Sequence, residues 1–170
     1  MDCGTETSEI GKLVCADSEL NELHITLANF YDLAVRRRRG QDRESLRSSQ
    51  RNWLERRDKC IGENAIRCLA DRYNERILVL EVQYGLGEST QLLGYRCDEL
   101  EHEMHVAFFK TDPPAVGLTL DESKDPVTAV LQHSDKGEKY VTADGLVFWA
   151  RGDEASLALI NGKKKTCHLK

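Results

Sequence analysis

The chain of 170 residues has no apolar run near the length of a bilayer span, so no integral membrane segment is expected. It has no C-x-x-C pair, which leaves out a thioredoxin-like redox motif, and its cysteine spacings miss the usual zinc templates. There is no G-x-S-x-G elbow for a serine hydrolase. Gly85-x-Gly87 lacks the third glycine of a dinucleotide fingerprint. "HEMH", from His102 to His105, brings its second histidine one residue early for H-E-x-x-H. His24 and His168 stand alone. Ser134 follows His133, but neighbours on a strand point to opposite faces, so they do not form a nucleophile and base. No enzyme, metal or cofactor is expected from these residues. Positive charge is not in excess either: the formal net charge is −5 with histidine neutral. That argues against nucleic acid and permits a basic partner.

What is present is a globular composition, 40% hydrophobic and 31% charged, which argues against disorder. Six cysteines stand at Cys3, Cys15, Cys60, Cys68, Cys97 and Cys167. An even number without metal spacing predicts three disulfides and an oxidising compartment, periplasmic or secreted. Such a compartment calls for a signal peptide, yet Met1 runs straight into Asp2, Cys3 and Gly4 with no apolar h-region. The chain therefore reads as a mature form with an added start Met, and Cys3 as a disulfide cysteine, with a native lipid anchor left open.

Two halves follow different periods. Residues 1–84 read as helices. A short one is expected from Glu6 to Cys15. Asp17 or Ser18 caps the next, whose Leu20, Leu23, Leu27, Phe30, Tyr31 and Ala34 recur at three- and four-residue steps. "RRRRG", Arg36 to Gly40, suits its carboxyl end, where cations meet the helix dipole and Gly40 can turn left-handed. The same run could hold an anionic polymer, but Asp42 and Glu44 dilute its field. A further helix starts near Asp42 with Leu46, Trp53 and Leu54 inward, and Gly62 breaks it. The last starts near Asn64 with Ile66, Leu69, Tyr73, Ile77 and Leu80 inward. Short connections predict a small antiparallel bundle.

"YGLGEST" marks the change, with a linker expected at 85–91. From 92 to 170 the period is two. "HVAFFK", "AVGLTL", "VTAVLQ", "KYVT", "LVFWA" and "SLALI" are short strands, separated by "TDPP", "DESKDP", "SDKGE", "ADG", "RGDE" and "NGKKK". This predicts an antiparallel sandwich or barrel, and an α+β chain overall. Asn161-Gly162 and Ala143-Asp144-Gly145 are hairpin turns. In "SDKGEKYVTADGLVFWARGDEA", Phe148 and Trp149 must face opposite sides, one toward the core and one partly exposed. The stretches before and after this hairpin fall at the same end of the sheet. Each carries a cation, Lys136 and Arg151, and Ser134 adds a hydroxyl. Such a pair suits carboxylates in another molecule's cleft; ordinary solvated hairpin ends look the same.

"YRCDE" at Tyr95–Glu99, "SDKGEKY" at Ser134–Tyr140, "VFWARGDEASL" at Val147–Leu157 and the closing "CHL" at Cys167 resemble the membrane-bound lysozyme inhibitor of c-type lysozyme family, MliC. The resemblance implies an eight-stranded antiparallel barrel with Cys97 paired to Cys167. It further implies two loops that enter the active-site cleft of c-type lysozyme and engage its catalytic carboxylates. The family's first loop reads S-x-S-G-x-x-Y. Here Ser134, Gly137 and Tyr140 match it, and Lys136 takes the place of the second serine. The second loop reads W-x-K-G. Here it is Trp149-Ala150-Arg151-Gly152, with Arg151 for the lysine.

In the amino half, "DC" at Asp2-Cys3, Val14–Tyr31, Gln50–Cys60 and Cys68–Leu80 resemble the LprI-type domain of exported bacterial proteins. This implies that Cys3, Cys15, Cys60 and Cys68 are paired, with three connectivities open. The expected function is inhibition of a host c-type lysozyme. The alternative is a non-inhibitory envelope module that contacts peptidoglycan or another exported partner through exposed aromatics and the arginine run.

Overall fold

A computed structural model describes residues 3–121, 125–135, 137–152 and 154–170. The chain divides into two compact units, 1–80 and 81–170. Four helices come first: α1 (Glu9–Ala16), α2 (Ser18–Arg37), α3 (Gly40–Arg57) and α4 (Ala65–Gln83). Among the described residues no helix is long and apolar enough to cross a membrane.

The helix starts follow from capping chemistry. The Ser8 hydroxyl accepts from Gly11 N at 3.0 Å, and Asp17 Oδ1 accepts from Leu20 N at 3.0 Å. Each satisfies a first-turn N–H that has no partner within its own helix. The "RRRRG" run divides differently from expectation. α2 ends at Arg37, and Gly40, at φ 54°, opens α3 instead of closing α2. α3 stops at Arg57, and Gly62 at φ 84° lies in the turn beyond it.

Leu20, Leu27, Ala34, Leu46, Trp53, Leu69, Tyr73 and Leu80 are buried, so the apolar stripes face inward. Ile66 does not follow its stripe and is 49% exposed. Polar groups inside this unit are paired. Trp53 Nε1 donates to Arg72 O at 2.9 Å, and Arg76 Nε donates to Gln50 Oε1 at 2.9 Å. The Arg57 guanidinium donates to the Tyr73 hydroxyl at 3.4 Å, and that hydroxyl lies 3.3 Å from His24 Nδ1. Cys3 pairs with Cys15, and Cys60 with Cys68, which selects one of the three connectivities.

The second unit is a closed antiparallel barrel of eight strands in sequence order. They are β1 (Ser89–Cys97), β2 (Met104–Phe109), β3 (Ala115–Thr119), β4 (Val127–Gln132), β5 (Glu138–Thr142), β6 (Val147–Arg151), β7 (Glu154–Ala158) and β8 (Lys164–Leu169). Closure removes the free edges that an open sheet would leave. Cys97 and Cys167 are register partners across the β1–β8 seam and are disulfide-bonded, with Cα atoms 3.9 Å apart.

Inside the barrel, Tyr95, Met104, Val106, Leu118, Phe148 and Leu157 are fully buried, as period-two alternation requires. Tyr95 meets Phe148 edge-on at 5.4 Å between ring centres, and Phe108 meets Tyr140 edge-on at 5.9 Å. Gly145 at φ 92° and Gly162 at φ 81° occupy the predicted hairpin turns.

Two stretches differ from expectation. Ser89–Gln91, read as the end of a linker, already belong to β1. Lys164 and Lys165, read as loop, begin β8. Lys165 points inward and is buried, and its Nζ donates to Glu99 Oε2 at 2.9 Å. The ion pair lets a lysine occupy an inward position.

Candidate functional site

The β5–β6 hairpin sets the site. Glu138 pairs with Ala150 and Lys139 with Trp149, so the chain entering β5 and the chain leaving β6 lie side by side. Residues 133–137 connect β4 to β5, and Arg151–Glu154 close the tight turn from β6 to β7. Both are therefore at one mouth of the barrel.

Gly137 locks them together. It has φ 88°, and a Cβ there would stand 2.4 Å from Ala150 O and 3.2 Å from Arg151 Cγ. Only a residue without a side chain fits this conformation and this approach. Gly152, at φ 64°, gives the second turn its left-handed corner.

The mouth encloses a cavity of about 490 Å³. Phe108, Phe109 and Pro114 line one side, and Gly137, Glu138, Ala150 and Arg151 the other. The "HVAFFK" run reads locally as a strand, and its part in this mouth has no local signal, because non-consecutive strands meet there only once the barrel closes. Tyr140 forms the inner wall and is buried, and its hydroxyl donates to Glu138 Oε2 at 3.0 Å. Burial first, and then that carboxylate, push the Tyr140 phenol well above its ordinary value. Tyr140 therefore stays neutral and keeps its hydroxyl proton for Glu138.

Of the expected site residues, Ser134, Gly137, Tyr140, Arg151 and Gly152 gather at this mouth or in its loops. Lys136 lies outside the described residues. Arg151 is exposed and does not extend freely. Its guanidinium carbon lies 3.6 Å from the centre of the Trp149 ring, on the outer face. Phe148 is the inward partner and is fully buried.

The other polar runs are placed apart. His102 precedes β2 in a bend, and His105 lies within β2 with Nε2 3.5 Å from Glu103 Oε1. His133 and Asp135 are almost fully exposed, 3.9 Å apart. Arg36 is paired with Asp32 one helical turn back. Among the described residues no group of three His, Cys, Asp or Glu could hold a metal ion.

The chain carries two segments in tandem whose family descriptions both concern lysozyme inhibition. Residues 3–80 match the family described as Lysozyme inhibitor LprI, and residues 95–165 match Membrane-bound lysozyme-inhibitor of c-type lysozyme, MliC. Among individual proteins, the chain is 25% identical over 158 residues to Lipoprotein LprI of Mycobacterium bovis, covering 92% of this chain and 78% of that one. Lipoprotein LprI of Mycobacterium tuberculosis matches with the same identity and coverage. A solved structure of Pseudomonas aeruginosa MliC in complex with hen egg white lysozyme aligns with TM-score 0.40 and 18% identity, over 49% of this chain and 88% of that one.

Proposed function

We propose that this protein is an exported bacterial inhibitor of c-type lysozyme. The β4–β5 loop and the β6–β7 turn are its contact surface, and they enter the active-site cleft of the enzyme. The observation that carries this reading is the packing of Gly137 against Ala150 and Arg151, which joins the two loops into one ridge. The two tandem matches to lysozyme-inhibitor families support it independently.

Lysozyme catalysis needs one carboxyl held protonated as general acid and a second carboxylate ionised. A guanidinium placed between them favours ionisation of both, so the acid loses its proton. Arg151 offers a planar fork that can engage a carboxylate bidentately, and Lys136 would add a second charge from the β4–β5 connection. Ser134 supplies a hydroxyl at the same rim. The inhibitor acts by occupying the cleft and needs no catalysis of its own. A net charge of −5 steers a basic lysozyme toward the contact, so the on-rate falls with salt.

The test is lysis of a bacterial cell-wall suspension by c-type lysozyme, with the full chain added. Inhibition is expected, and it should be lost in the Lys136→Ala/Arg151→Ala double variant. A chain with intact disulfides that leaves lysis unchanged would overturn the function. Full inhibition by the double variant would overturn the two-loop mechanism.

A further inference from the structure

We propose that the outer face of β5, β6, β7 and β8 is a second binding site, for an acidic glycan, a saccharide chain that bears repeated carboxylates. This inference does not rest on the lysozyme reading. Alternation fixes which residues face outward, because Tyr140, Phe148, Leu157 and Cys167 are the inward ones. Lys139 is the register partner of Trp149, and Trp149 of Ser156. Val147 is opposite Ala158, and Ala158 is opposite Lys164. Together they enclose a groove of about 370 Å³.

The groove has a floor and a rim of different chemistry. Val147, Ala158 and the Trp149 indole make the floor, and the flat guanidinium of Arg151 stacked on the indole extends it. Lys139, Lys164 and Arg151 supply three cations, and Ser156 a hydroxyl. The chain as a whole is acidic, so this is a local reversal of sign. Elsewhere on the barrel, Lys165 and Lys170 are held by Glu99 and Glu103, at 2.9 and 2.7 Å. Among the described residues, none of Lys139, Arg151 and Lys164 is joined to a carboxylate in this way. Glu154 is the register partner of Arg151, and among the described residues no ion pair joins it to the three.

The spacing selects the ligand. Lys139 on β5 and Lys164 on β8 stand three strand spacings and two residues apart, roughly 16 Å along the sheet. One small anion cannot reach both, whereas a chain with repeated anionic groups can. Pyranose rings present flat C–H faces that suit an apolar and aromatic floor. Their carboxylates would then reach ammonium and guanidinium groups on the rim. A purely phosphate polymer would match the rim and leave the floor unused.

The test measures binding of a fluorescently labelled uronic acid hexasaccharide to the full chain by polarisation. A neutral hexasaccharide and inorganic polyphosphate serve as competitors. We expect saturable binding that weakens with salt and is displaced by neither competitor at equal concentration. Lys139→Ala/Lys164→Ala should weaken it about a hundredfold, at about tenfold for each charged hydrogen bond. Lys164 begins β8, outside both lysozyme loops, so Lys164→Ala alone should weaken glycan binding about tenfold and still inhibit lysozyme. Absence of binding, unchanged affinity in the double variant, or equal displacement by polyphosphate would each overturn the site. Glycan binding by a chain that fails to inhibit lysozyme would leave this site standing and remove the other reading.

Discussion

The Arg151 guanidinium stacks on the Trp149 ring, 3.6 Å from its centre. Residues two apart on a strand share a face, so β6 itself sets this contact. The stack holds a long side chain at the edge of the mouth and limits the freedom it would lose on binding. Arg151→Ala should raise the inhibition constant for lysozyme by about thirtyfold or more, because it leaves a carboxylate unpaired in the contact. Trp149→Ala keeps the charge and removes only the stack, so about two- to fivefold is expected. Inhibition constants for the two variants check the order. A larger loss from Trp149→Ala would mean that the indole, rather than the charge, makes the contact.

Gly137 is where backbone approach and conformation coincide. Gly137→Ala places a methyl 2.4 Å from Ala150 O at a positive φ. It should cost about 3 kcal/mol or more of barrel stability through left-handed strain and overpacking. Gly145→Ala has a positive φ of 92° but open space around its Cβ, so about 1 to 2 kcal/mol is expected. Thermal unfolding of the full chain compares the two. Gly137→Ala should also weaken inhibition while Gly145→Ala should not. Equal effects on inhibition would separate Gly137 from the contact surface.

The helices were legible because long segments with buried positions such as Leu20, Leu27 and Ala34 keep one stripe through several turns. Ile66 broke the rule, since it lines a shallow groove with Ile61 beside the Cys60–Cys68 turn and is not inside. β6 announced itself by "VFWA", but the start of β1 did not. Ser89–Leu92 are exposed on both faces, so no alternation exists to read. β8 was masked by "KKK", because the inward Lys165 depends on Glu99, 66 positions away in the chain. The gathering of Ser134, Gly137 and Arg151 was readable from hairpin geometry. The stack on Trp149 follows from the W-x-R spacing, since residues two apart on a strand share a face. The aromatic wall of Phe108 and Phe109 needs closure of the barrel, which is a long-range fact.

The three disulfides close loops of very different length. Cys97 and Cys167 are separated by 70 positions, and Cys60 and Cys68 by 8. In the chain-entropy picture the first contributes about 4 kcal/mol and the second about 2.5 kcal/mol, since the unfolded chain loses more freedom with the longer loop. Cys97→Ala/Cys167→Ala also opens the seam that pairs β1 with β8. Urea unfolding of both double variants in the full chain should show the larger loss for the seam. It should also show loss of lysozyme inhibition in that variant. A smaller loss there than for Cys60→Ala/Cys68→Ala would mean that β1–β8 pairing holds the barrel closed without the covalent link.

His24 gives the helical unit a dependence on pH. Its Nδ1 lies 3.3 Å from the Tyr73 hydroxyl, which also receives the Arg57 guanidinium. Burial pushes the imidazole below its ordinary value, and the charge of Arg57 acts in the same direction. In the unfolded chain a histidine takes its proton near pH 6.5, on the order of half a unit either way. The folded state takes it only at lower pH, so the unfolded chain binds more protons in between. Stability is therefore complete above about pH 6.5 and falls as the pH drops toward the folded value. His24→Gln removes this contribution while keeping a group that can bond to Tyr73. Urea unfolding of parent and variant from neutral to mildly acidic pH should show the parent losing more stability on acidification. The carboxylates titrate alike in both chains and cancel in the difference. Parallel curves for the two proteins would place the acid sensitivity outside the His24–Tyr73–Arg57 cluster.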